Sequence, residues 1–146
     1  MFGSIVVGTD GSPTARRAVE VACSLAELSG ATLHLVSAFR PAPVLAGAAI
    51  GFMDAVVVEA ERDLRRFTEA MLADLGGSLI RRGVRVETHA VPGEASDALL
   101  DVAKACAAEL IVVGSKGMAG ARHFVGSVPN RVSHRAQTSV LIVKTT

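Results

Sequence analysis

The stretch "SIVVGTDGSP", residues 4–13, decides how this chain is to be read. Residues 4–9 form a short apolar strand, and Asp10-Gly11 bring the chemistry of a loop. Ser12 can then cap the orphan N–H groups of a helix, while Pro13 suits its first position because the donor that proline lacks is not needed there. A strand that turns through a few small polar residues directly into a helix opens an alternating α/β pattern.

The alternation continues outward from this stretch. The first helix runs over 13–29 and stops at Gly30, with Ala15, Ala18, Val19, Ala22, Leu25 and Ala26 spaced for one buried stripe. A second strand covers 31–39. Residues 40–53, rich in Pro, Gly and Ala, read as a loop, either a lid or a plain connection. From Asp54 the spacing predicts a helix with Val56, Val57, Ala60, Leu64, Phe67, Met71 and Leu75 buried, and Glu61, Arg62, Arg65 and Arg66 on the wet face. Gly76-Gly77 is expected to interrupt it and Arg81-Arg82-Gly83 to end it.

Residues 84–91 read as a third strand closed by Pro92-Gly93. A third helix starts at Ser96 or Asp97 and points Leu99, Leu100, Val102, Ala103, Cys106 and Ala107 inward. Leu110 to Val113, with no polar member, is a strand covered on both faces. A loop follows in which Gly114, Gly117, Gly120 and Gly126 recur; Ser127 caps a helix over 128–136, and residues 139–144 close the chain as the fifth strand. The expected fold is α/β: an open, doubly wound five-stranded parallel sheet in the order 3-2-1-4-5 with four helices, flavodoxin-like or Rossmann-like.

The totals agree with this. At 146 residues the chain is expected to be one domain over 1–146. Half of it is apolar but only 3% aromatic, so the core is built from Val, Leu, Ile and Ala. A net charge of +1 supplies no general attraction for nucleic acid or an anionic membrane. No leader is read at the N-terminus, and the charge-poor run 41–53 is too short to span a bilayer, so a cytoplasmic protein without membrane insertion is expected. Cys23 and Cys106 match no redox or ligand spacing and read as small buried hydrophobes.

In such sheets ligands bind beyond the carboxyl ends of the strands where the winding reverses. With that strand order, Gly8-Thr9-Asp10-Gly11 and Gly114-Ser115-Lys116-Gly117 meet there. Glycines let backbone N–H groups approach a ligand and form an anion-binding concavity. Gly126-Ser127 at a helix start favours negative charge as well. The loop is therefore read as a phosphate cradle, with a tight strand exit as the plainer alternative. Asp10 suits a ribose hydroxyl or a magnesium ion, or it accepts N–H bonds at the helix start. A P-loop and the G-x-G-x-x-G fingerprint are both absent.

These residues resemble the universal stress protein family along the whole chain. Val7-Gly8-Thr9-Asp10-Gly11-Ser12 matches the family's first-strand ending, and Gly114-Ser115-Lys116-Gly117 with Gly126-Ser127 matches both ends of its nucleotide pattern. Residues 118–125 supply eight intervening positions where the family pattern has nine. The resemblance implies ATP, with or without Mg2+, held by Gly8, Thr9 and Asp10, by Ala38 and Phe39 at the adenine, and by Gly114, Ser115, Lys116, Gly117, Gly126, Ser127 and Val128 around the phosphates. Some members bind cyclic AMP, and others carry no nucleotide. It also implies a homodimer through residues 139–144, an apolar edge strand whose pairing removes an aggregation hazard.

Catalytic readings are thin. No G-x-S-x-G elbow occurs, and His34, His89, His123 and His134 show no helical spacing of metal ligands, so no metal ligand set is read. His34 reads as a packed or edge strand histidine and not a ligand, His134 as a cap on a helix C-terminus, and His123 either as a phosphate contact or as simply exposed. No general base stands poised for attacking water. The first reading is a nucleotide-binding stress or signalling protein acting by ligand-linked change of surface, with a nucleotide-free interaction module as its rival and a weak ATPase dependent on Asp10 or Lys116 as a third reading.

Overall fold

The computed structural model describes residues 1–40, 51–115 and 127–145. Among them are five strands, β1 (Ser4–Gly8), β2 (Thr32–Phe39), β3 (Arg85–Pro92), β4 (Leu110–Gly114) and β5 (Ser139–Val143). They alternate with four helices, α1 (Pro13–Ser29), α2 (Gly51–Ile80), α3 (Ala95–Ala105) and α4 (Val128–Arg135). The sheet has the order β3-β2-β1-β4-β5 with every pair parallel, as the alternation predicts.

Two apolar layers sandwich the sheet. On one face Ile5, Val7, Leu33 and Leu35 meet Val19 and Ala22 of α1 and Leu72 and Leu79 of α2. On the other, Val6, Val36 and Ile111 meet Leu99 and Val102 of α3 and Val132 of α4. Strand alternation sends neighbouring residues to opposite layers, which is why Ile5, Val6 and Val7 of the central strand are all fully buried. The chain leaves β1 toward β2 and β3 with α1 and α2 on one side, then recrosses to β4 with α3 on the other. The winding thus reverses between β1 and β4.

The helix ends follow local rules. Ser12 Oγ accepts from the N–H of Ala15, Pro13 is the first helical residue, and Gly30 closes α1 in the left-handed region. Ser127 Oγ caps α4 in the same way through the N–H of Asn130. α3 departs from expectation by starting at Ala95 with Glu94 as its cap. The Glu94 carboxylate accepts from the N–H groups of Ser96 and Asp97 and from the Ser96 hydroxyl, and Ser96 itself is buried. At the other end Ala107, expected inward, is exposed at φ 51°.

α2 corrects the reading most. It begins at Gly51, before Asp54, and passes through Gly76-Gly77 unbroken. From residue 55 onward its buried positions are Thr68, Leu72, Gly76 and Leu79, whereas Val56 and Phe67 are 48% and 74% exposed and Ala60 is exposed. The buried stripe departs from the apolar spacing because two of its members are not apolar by type. Thr68 hides its hydroxyl by donating to the Leu64 carbonyl, and Gly76 lies so close to the sheet that a Cβ would meet Thr88 Cγ2 at 3.3 Å and Val86 Cγ1 at 3.4 Å. Arg65, expected in water, is half-buried with its guanidinium over the Phe39 ring.

Candidate functional site

A cavity of about 220 Å³ opens at the reversal point, between the carboxyl ends of β1 and β4. Its floor and walls are apolar: Val36 and Ala38 of β2, Leu99 of α3 and Val113 of β4. Thr9, Asp10 and Ser12 from the β1–α1 turn bring the polar groups. That turn is held tightly. The Thr9 N–H donates to the Val36 carbonyl at 2.9 Å, its Oγ1 accepts from the N–H of Gly11 at 3.1 Å, and Asp10 Oδ1 accepts from the N–H of Ser12 at 2.9 Å. Gly11 sits at φ +81°, a backbone shape that side chains other than glycine's resist. Asp10 thus has a hydrogen-bonding role at the helix start and also lines the cavity.

Of the residues singled out in the sequence, Gly8, Thr9, Asp10, Ala38, Gly114 and Val128 line this one cavity. Phe39 does not. One step along β2 from Ala38, it turns to the opposite face of the sheet and lies buried beneath Arg65. Ser115 is also off the lining: its Oγ accepts from the N–H of Thr145 at 3.0 Å, clamping the exit of β4 to the end of β5. Ser127 is buried as the α4 cap, and Val128 and Pro129 beside it reach the cavity. Because its oxygen is the acceptor there, its hydroxyl proton remains a donor. Lys116, Gly117, Gly126 and His123, with most of the loop expected at 40–53, lie outside the described residues.

Sequence reasoning missed Leu99, Val36 and Val113, which are apolar residues of core type and carry no mark of their place at a cavity mouth. Strand register sets Val36 and Val113 there, and the packing of α3 against the sheet sets Leu99. Gly8 has a packing role as well, since a Cβ on it would approach Leu99 Cδ1 at 3.1 Å.

A second polar cluster sits on the same face of the sheet, toward the amino end of β2. The parallel register sets Glu87 opposite His34 and His89 opposite Val36. His34 Nδ1 lies 3.0 Å from His89 Nε2 and 3.4 Å from Glu87 Oε2, with the rings stacked at 29°. Burial pushes His89 below the ordinary imidazole range, the charge of a protonated His34 acts in the same direction, and Glu87 opposes them. The sequence hides this cluster because 55 residues separate its two histidines.

The fold and the position of the cavity define a doubly wound α/β protein with a crevice at its switch point. The model of the universal stress protein family matches residues 1–144, and the chain belongs to that family. It is 36% identical to Universal stress protein Rv1636 of Mycobacterium tuberculosis over 99% of this chain and 98% of that one. Universal stress protein YxiE of Bacillus subtilis is 30% identical, with 99% of this chain and all of the other covered. A universal stress protein crystallised in complex with cAMP is similar in structure, with a TM-score of 0.74 and 32% identity over 99% of this chain and 98% of that one.

Proposed function

We propose that this protein binds an adenine nucleotide in the β1–β4 cavity and acts through the change of surface that binding brings. The observation that carries the reading is the coincidence of cavity, switch point and Asp10. Val36, Ala38 and Leu99 offer an apolar slot for a purine, and Asp10 and Ser12 offer partners for ribose hydroxyls. On the phosphate side stand the start of α4 with the Ser127 hydroxyl and, from the sequence, Lys116, Gly117 and Gly126. ATP, with or without Mg2+, is the ligand the glycine pattern suggests. Cyclic AMP is the second reading, favoured by the structurally similar relative crystallised with it.

The working form in this reading is a homodimer paired through β5, where Ile142 is 37% exposed. Among the described residues no helix is long and apolar enough to cross a membrane. The free thiols Cys23 and Cys106 suit a reducing, cytoplasmic setting.

The test begins by denaturing the purified protein and identifying any released nucleotide by mass. Calorimetric titration with ATP and with cAMP follows, on the wild type and on Ala38→Phe. One-to-one binding that the phenylalanine weakens more than about tenfold supports the reading, since the added ring occupies the purine slot. Absence of binding by either nucleotide favours the interaction module.

A further inference from the structure

We propose that His34, His89 and Glu87 form a zinc(II) site on the β2–β3 ladder, separate from the nucleotide cavity. One donor atom from each residue falls within 4.8 Å of the other two. Tetrahedral zinc with bonds of about 2.0–2.1 Å has ligand-to-ligand edges of about 3.3 Å. The two separations at His34 Nδ1, 3.0 and 3.4 Å, bracket that edge, so small side-chain rotations complete the geometry. Two imidazoles with one carboxylate form a set suited to zinc, with the fourth position left to water; magnesium and calcium take oxygen ligands instead.

A hydrogen bond between two packed imidazoles does not explain the whole arrangement. If His34 Nδ1 carries the proton, that single N–H faces two acceptors, His89 Nε2 and Glu87 Oε2. If His89 carries it, the His34 lone pair faces a carboxylate oxygen at 3.4 Å. A cation satisfies all three groups together. The site is also built in advance: strand register fixes both histidine backbones, and His34 is only 5% exposed, so its ring is confined. Glu87, whose side chain is 63% exposed on the edge strand, is free to close on the ion from the solvent side.

The experiment is calorimetric titration of the purified chain with ZnCl2 in nucleotide-free buffer, with Co2+ absorption as a report on coordination geometry. The expected result is one ion per chain, a tetrahedral cobalt spectrum and a higher melting temperature with zinc. Glu87→Gln and His89→Gln each weaken binding by at least about tenfold, since even the partners behind a ligand are worth that much. His134→Gln, on an exposed α4 residue, leaves it unchanged. Saturable binding that survives both ligand substitutions overturns the proposal, as does the absence of saturable binding. Because Glu87 is exposed, Glu87→Gln keeps the fold and decides the matter by itself if His89→Gln does not fold.

Discussion

Ala107 occupies a left-handed backbone position, φ 51°, just past the end of α3. The N–H of Ala108 reaches back to the Ala103 carbonyl at 2.8 Å, the closing bond of a motif that glycine usually completes. A Cβ there costs about 1–2 kcal/mol, and glycine returns about 0.4–1 kcal/mol of that through its looser unfolded chain. Ala107→Gly is therefore expected to stabilise the protein by about 0.5–1 kcal/mol, seen as a higher urea midpoint at unchanged slope. At the other end of α3, partial burial pushes the Glu94 carboxyl up, but the Ser96 hydroxyl, the N–H groups of Ser96 and Asp97 and the Arg131 guanidinium together hold it below its ordinary range. A carboxylate lowered on folding stabilises the protein above its unfolded pKa, and this stabilisation is lost as the pH falls through the folded value. Glu94→Gln keeps an acceptor oxygen but removes the charge at the helix start, and should cost about 0.3–1 kcal/mol at pH 7. In thermal melts the gap between variant and wild type should close on acidification below the ordinary carboxylate range. Ser12 and Gly30 were legible as caps because their chemistry is local; Glu94 was not, because Ser96 and Asp97 beside it are the more usual cap residues.

At the scale of elements, α2 shows where periodicity fails. Met71 and Leu75 pack half-buried against the core and Leu64 is half-buried, but the line of closest approach runs through Thr68, Leu72 and Gly76. Gly76→Leu should destabilise the fold by about 1–3 kcal/mol, because a side chain there has to displace Val86 and Thr88. Phe67→Ser, at a site 74% exposed, should change stability by no more than about 0.5 kcal/mol. Equilibrium denaturation of the two variants checks both figures, and reversal of their order would return the buried face to the purely apolar stripe. The strands were easier to read than this helix, since short apolar runs between glycine and proline signals leave few alternatives.

For the whole molecule, the proposed dimer gives the clearest prediction. β5 is an edge strand on which Ile142 is exposed, while Val143 is buried against the core. Ile142→Lys should leave the fold intact and abolish pairing by setting two charges against each other across the twofold axis. Light scattering should give twice the chain mass for the wild type and one chain mass for the variant. A wild type of one chain mass at micromolar concentration removes the dimer from the proposed function.

The sequence by itself determined the order of elements, the parallel sheet and the position of the crevice, because hydrophobic period, caps and turn residues are written locally and few topologies satisfy them all. It also marked Gly8, Thr9, Asp10 and Gly114, and the family resemblance added Ala38; these five meet at one cavity. Only the tertiary structure decided that Phe39 turns away from that cavity, that Gly76 is a contact point on an unbroken helix, and that His34 and His89 touch. Each of these depends on strand register and on the distance between layers. Both are fixed by the packing of residues far apart in the chain, and no single segment records them.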